Sequence, residues 1–312
     1  MKSSTVTRLS LLIMLFPLFL GIGCSTFRSI YWESEDAARS VSEMVSFGKE
    51  DMLRKRILLV PIKNQAGIKQ ETATRITGTF MDLLAKNGDL LVTPLNDVEI
   101  SSSDLSSPQY GIVIDPELVK KAEEKYMDVL ITTTLYPFDV KTKKSGIWPF
   151  RKIKKEIAIS ININVLDITN GTLILAKTET RKVKTDYDAA EGQEDRWEVD
   201  NEILDEEASS ILKTHSSDIS DALASQPWTG KIKLADSKSV MINGGKDIGV
   251  TEGSIFEVFD KGEPIQSANG KDYSYLGQKA AEVRADEVMQ EYTLATPLNN
   301  EILKDGQLVR LK

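Results

Sequence analysis

Apolar positions along this chain follow three patterns, and each predicts a different element. At residues 56–62 (RILLVPI) and 128–138 (DVLITTTLYPF) they run together, as in strands covered on both faces. Elsewhere they recur every three or four residues. Ala73, Ile76, Phe80, Leu83 and Leu84 predict a helix of about 17 residues from Gln70, ended by Asn87-Gly88. Leu118, Val119 and Ala122 predict a second, with Asp115 as N-cap and Pro116 in the first turn. A third covers residues 201–224, its stripe formed by Leu204, Ala208, Ile211, Leu212, Ile219, Ala222 and Leu223. Residues 90–94 read as a strand between the first two helices.

The third pattern is strict alternation. Ile157, Ile159, Ile161, Ile163 and Val165 are separated by Ala158, Ser160, Asn162 and Asn164, and Asn170-Gly171 follows. A two-residue turn there predicts a hairpin with residues 172–183. It sets Val165 opposite Ala176, Ile163 opposite Thr178 and Ile161 opposite Thr180. Helices would cover that face, and Asn162, Asn164, Lys177 and Glu179 would meet water. Beyond Gln226-Pro227 come short runs at 230–234, 239–243, 254–259, 278–284, 289–296 and 307–311, separated by turn residues. Their density predicts a small closed β-barrel. The glycine-rich stretch 242–254 lacks a Gly-Lys-Ser/Thr ending and joins strands, so it reads as turns rather than a phosphate cradle. The expected fold class is α+β: a mixed-sheet α/β sandwich over residues 56–225, then an all-β barrel over 228–312.

The amino end is patterned differently. Lys2 and Arg8 precede a twelve-residue apolar run, residues 9–20, interrupted only by Ser10 and Pro17. That is short of the ~18 residues a spanning helix needs, and the layout is that of a secretory signal. Gly23-Cys24 closes it. Residues 24–55 read as a tether containing a short helix near 35–47, with Ser34 as N-cap.

Composition narrows the function. The formal net charge is −8, and removing residues 1–23 leaves 37 basic and 47 acidic residues, or −10. Such a balance disfavours nucleic acid, which needs clustered positive charge. Cys24 is the only cysteine, so no intrachain disulfide or cysteine metal site can form. His215, the only histidine, lies on the packing stripe of the third helix without ligand-spaced partners and reads as a core residue. No nucleophile elbow, zinc motif or dinucleotide fingerprint is present. No catalytic residue, metal, cofactor or small-molecule substrate is therefore expected.

Two charged segments remain. Residues 186–200 hold seven acidic side chains and one Arg, as a solvated loop would. Residues 141–155 hold seven Lys or Arg around Ile147, Trp148 and Phe150, between two strands, and predict an extended hairpin tip. Lys143, Lys144, Trp148, Phe150, Arg151 and Lys152 are its candidate contacts for anionic headgroups, glycan polymer or an acidic protein. The alternative is an ordinary charged loop whose aromatics fold back.

Three resemblances bear on function. Residues 1–24 resemble a bacterial lipoprotein signal, with Gly21 where such signals usually carry Leu. This implies acylation of Cys24 and, with Ser25 rather than Asp next, attachment to the periplasmic face of the outer membrane. A plain secretory signal is the alternative. RILLVPIKN (56–64), LVTPL (91–95), YMDVLITTTL (126–135) and VLDITNGTLI (165–174) resemble a periplasmic α/β domain. The TolB amino-terminal domain, the curli-secretion lipoprotein and the middle domain of flagellar assembly protein T share it. VMINGGKDIGVTEGSIFEVF (240–259) with ILKDGQLVR (302–310) is similar to the carboxy-terminal barrel of flagellar assembly protein T, an SH3-like module. The pairing implies a structural or assembly protein with envelope protein partners, and ring-forming homo-oligomers are an expectation of the same resemblance. Two other roles follow from relatives of the α/β domain. One is a curli-type secretion pore, disfavoured because residues 172–184 put charge on both faces. The other is an activator of a cell-wall synthase, for which a long disordered tether is missing.

Overall fold

The computed structural model describes residues 53–95, 116–145, 152–169, 171–187, 200–235, 239–262, 265–266, 272–273, 276–299 and 301–312. Cys24, Trp148, Phe150 and Arg151, the helix near 35–47 and the N-cap Asp115 lie outside them. Residues 53–312 form one compact unit.

Its first part is a seven-stranded mixed sheet. β1 (Lys55–Leu59) lies between β3 (Leu90–Pro94) and β4 (Val129–Leu135), parallel to both. β2 (Lys63–Asn64) pairs in parallel with the far end of β4, beyond the stretch that β1 occupies. β6 (Lys152–Asp167) runs antiparallel to β4 and then, further out, to β5 (Asp139–Ser145). β7 (Leu173–Tyr187) pairs with the other side of β6 and forms the edge.

α1 (Gln70–Ala85) and α3 (Asn201–Ala224) pack on one face. Ile76, Phe80, Ile211 and Leu212 meet the Ile157, Ile159, Ile161 and Ile163 row there. α2 (Pro116–Glu124) covers the opposite face at one end, burying Leu118 and Ala122 on Leu58, Leu130 and Leu166. β1 is buried along its whole length, by helices on both faces and, at Arg56, by the barrel.

The second part is a closed six-stranded barrel. Its strands are β8 (Gly230–Leu234), β9 (Val240–Ile242), β10 (Ile255–Lys261), β13 (Leu276–Val288), β14 (Thr293–Pro297) and β15 (Leu308–Leu311). The β10–β13 connection carries a two-stranded ribbon, β11 (Ile265–Gln266) with β12 (Asp272–Tyr273), which periodicity does not signal. Met289 belongs to the β13–β14 turn rather than to a strand. No helix among the described residues is long and apolar enough to cross a membrane.

Two expectations are corrected. The hairpin register is one residue off: Val165 pairs with Leu175, Ile163 with Lys177 and Ile161 with Glu179. The connection is residues 168–172 rather than a two-residue turn. Asp167 N–H donates to Thr172 O, Gly171 N–H donates to Asp167 O, and an irregularity falls between Val165 and Leu166. A one-residue slip exchanges the faces of a strand. Lys177 and Glu179 therefore share the helix-covered face with the isoleucines, while Thr178 and Thr180 stand outside beside Asn162 and Ser160. Lys177 accommodates this by reaching Asp218 of α3 at 2.7 Å, its side chain only partly covered. The second correction is that residues 141–155 are not one extended tip. Lys141–Ser145 and Lys152–Lys155 are paired strand, leaving only residues 146–151 between them.

Candidate functional site

Sequence reasoning placed the ends of two strands at Arg56 and Asp128 and gave neither a role. The structure makes them the hub between sheet and barrel. Arg56 is 5% exposed and alternates with Ile57, so its side chain leaves the sheet on the α2 side. Its Nε and Nη2 donate to the two carboxylate oxygens of Asp247 at 2.7 and 2.8 Å. Nη2 also donates to Glu291 O, and Nη1 to Asn243 O and Tyr126 O. All five guanidinium hydrogens have acceptors, which a lysine could not reproduce.

Asp247 sits in a 3-10 turn (Lys246–Ile248) within the glycine-rich stretch. Two of those glycines are required by close approach. A Cβ at Gly244 would lie 2.9 Å from the Trp228 ring, and one at Gly245 would lie 2.4 Å from Gln290 O. Gly244 and Gly230 leave room for the Trp228 indole, which donates to Asp128 Oδ1 at 3.2 Å.

Asp128 Oδ2 accepts the Arg56 backbone N–H at 2.8 Å. Burial outweighs these donors and pushes the Asp128 carboxyl up to about 7. Beside it, Lys55 Nζ donates to Leu223 O at the end of α3, and burial holds that amine below its ordinary value despite Asp167 and Asp128. Leu53 packs in the barrel core and Arg54 N–H donates to Ile248 O, so the chain is gripped before β1 begins. The junction is a closed polar network whose groups hold one another.

His215 is fully buried. Its Nε2 lies 3.1 Å from Ile161 O, its Nδ1 has no hydrogen-bond partner, and burial lowers its pKa. An uncharged ring donating from Nε2 fits that setting, with Asp218 Oδ2 at 3.9 Å and already engaged by Lys177. Among the described residues no group of three His, Cys, Asp or Glu could hold a metal ion.

Of the expected contact residues, Lys143 and Lys144 lie on β5 and Lys152 on β6. Lys143 is opposite Lys154, Lys144 opposite Ile153, and Ser145 opposite Lys152. They share one hairpin.

No protein-family model and no curated protein matches the chain. Several solved structures are similar over about half of it. The PelC dodecamer from Paraburkholderia phytofirmans is 13% identical, with TM-score 0.31 over 52% of this chain and 84% of that one. Lipoprotein GNA1162 from Neisseria meningitidis is 13% identical, with TM-score 0.28 over 55% and 99%. The LpoB C-terminal domain from Escherichia coli is 16% identical, with TM-score 0.28 over 45% and 93%.

Proposed function

We propose that this chain is a lipid-anchored protein of the bacterial envelope that works by contact, as a structural or assembly component, rather than by catalysis. The observation that carries the reading is the amino-terminal pattern: Lys2 and Arg8, a twelve-residue apolar run and Gly23-Cys24. Acyl chains on Cys24 would each add roughly 0.8 kcal/mol per buried methylene, and two or more give stable attachment. The outer membrane, facing the periplasm, is the proposed location. In this reading residues 56–225 act as a TolB-amino-terminal-like domain and residues 228–312 as an SH3-like barrel resembling that of flagellar assembly protein T. Envelope proteins, including further copies of the chain, are its partners. The junction supports the contact role, because Arg56, Asp128 and Asp247 are spent on holding two parts together.

The test is metabolic labelling with an alkyne fatty acid. Wild-type chain should carry label and sediment with outer membranes. Cys24→Ala should lose the label and fractionate with soluble periplasmic protein while keeping its far-ultraviolet dichroism. Unprocessed, unlabelled wild-type chain in the cytosol would overturn the reading.

A further inference from the structure

Beyond Leu166 the sheet face opposite α3 carries no helix among the described residues, and its chemistry changes along the strands. First comes an uncharged row. Asn164 Nδ2 donates to Thr132 Oγ1, Asn162 Nδ2 donates to Thr178 Oγ1, and the Ser160 and Thr180 hydroxyls are 2.9 Å apart. Asn164 Oδ1 is left without a partner.

Lysines follow. Lys182 pairs with Ala158, and Lys184 and Lys141 flank Glu156. Lys141, Lys182 and Lys184 thus stand on this face beside Glu156 and Asp139, the latter paired with Lys141 at 3.5 Å, in a chain of net charge −8. From residue 154 to 164 the strip is roughly 33 Å long at ~3.3 Å per residue.

We propose that this face binds an anionic polysaccharide, its Ser, Thr and Asn row meeting sugar hydroxyls and its lysine end meeting the acid groups. A polymer of hydroxyls and carboxylates matches both halves of the strip at once. One exposed aromatic, Tyr136, borders the row, its N–H donating to Ser160 O, and a lone ring among hydroxyls and amides suits stacking on a sugar better than the clustered apolar anchors that hold protein partners. A bilayer would use only the lysine half. The inference rests on the exported, contact-based reading above.

The test uses the full chain carrying Cys24→Ala, with the polyuronate alginate as probe and neutral dextran, polyglutamate and phosphatidylglycerol vesicles as comparators. Alginate should bind in a salt-sensitive manner and dextran should not. Lys182→Glu/Lys184→Glu should weaken alginate binding on the order of tenfold or more. Asn162→Ala/Thr178→Ala should weaken it severalfold without changing the salt dependence. Lys182→Gln/Lys184→Gln, which adds no charge, covers the case in which the reversal variant unfolds. Alginate binding unchanged in these variants overturns the proposal. Equal binding to polyglutamate reassigns the face to an acidic protein, and binding to vesicles alone reassigns it to lipid; either result also overturns it. Fatty-acid labelling of wild-type Cys24 is read separately, so loss of glycan binding leaves the anchor reading standing.

Discussion

At the scale of single residues, Asp128 makes the sheet–barrel junction sensitive to protons. Its pKa is raised from 3.8 to about 7 by burial, so the folded protein holds a proton that the unfolded chain has released. The stabilisation is fully present below pH ~4 and is lost as pH rises through about 7. His215 has the opposite sign: its pKa is lowered from 6.5, so its effect falls in the window below that value. Between pH 6.5 and 8 the Asp128 loss is opposed by Lys55, whose pKa burial lowers from 10.5, so the Asp128 share is read as the difference between wild type and Asp128→Asn. Urea titrations should show wild-type protein losing on the order of 1 kcal/mol relative to Asp128→Asn across that interval. Arg56 makes a second prediction. Arg56→Lys keeps the charge but cannot fork onto Asp247 while also reaching Glu291 and Asn243. It should destabilise by roughly 2–4 kcal/mol in the same titrations.

At the scale of elements, the facing of β6 can be tested directly. Ile161 is fully buried under α3, and Ser160 is on the uncovered face. Ile161→Ala should cost about 2–5 kcal/mol and Ser160→Ala under about 1 kcal/mol in thermal unfolding. Elements whose pattern is local were legible in the sequence. α3 begins at Asn201 and ends at Ala224, and β3 occupies Leu90–Pro94, as periodicity and turn residues predict. The hairpin register was not legible, because residues 168–172 and the irregularity at Leu166 set it, and alternation alone leaves a one-residue choice open. β5 was missed because DVKTKKS has only Val140 as an apolar residue, and its extended form comes from pairing with β6. Arg56 and Asp128 were invisible as a site. They are 72 residues apart, each beside an apolar run, and only folding brings them together. The glycine-rich stretch was the one signal that could have pointed there.

At the scale of the molecule, the junction predicts how sheet and barrel unfold. Arg56 ties β1 to Asn243, Asp247 and Glu291, and Trp228 and Lys55 bring Asp128 and α3 into the same network. Hydrogen exchange should find the wild-type sheet and barrel opening together in one cooperative step. Arg56→Ala should separate them, with β9 and β14 exchanging before β1 and β4. Independent exchange in the wild type would show that the network does not couple the two.

The grip on Leu53 and Arg54 also fixes a mechanical load path. Tension on the chain ahead of Leu53 first meets a side chain wedged in the barrel core and the Arg54 bond to Ile248. It then reaches β1, which is flanked by two parallel neighbours. Pulled along its axis, β1 would have to slide past both, breaking its bonds together in shear rather than peeling them one at a time. A leash attached at this point can be tugged hard before the body that it holds begins to unravel.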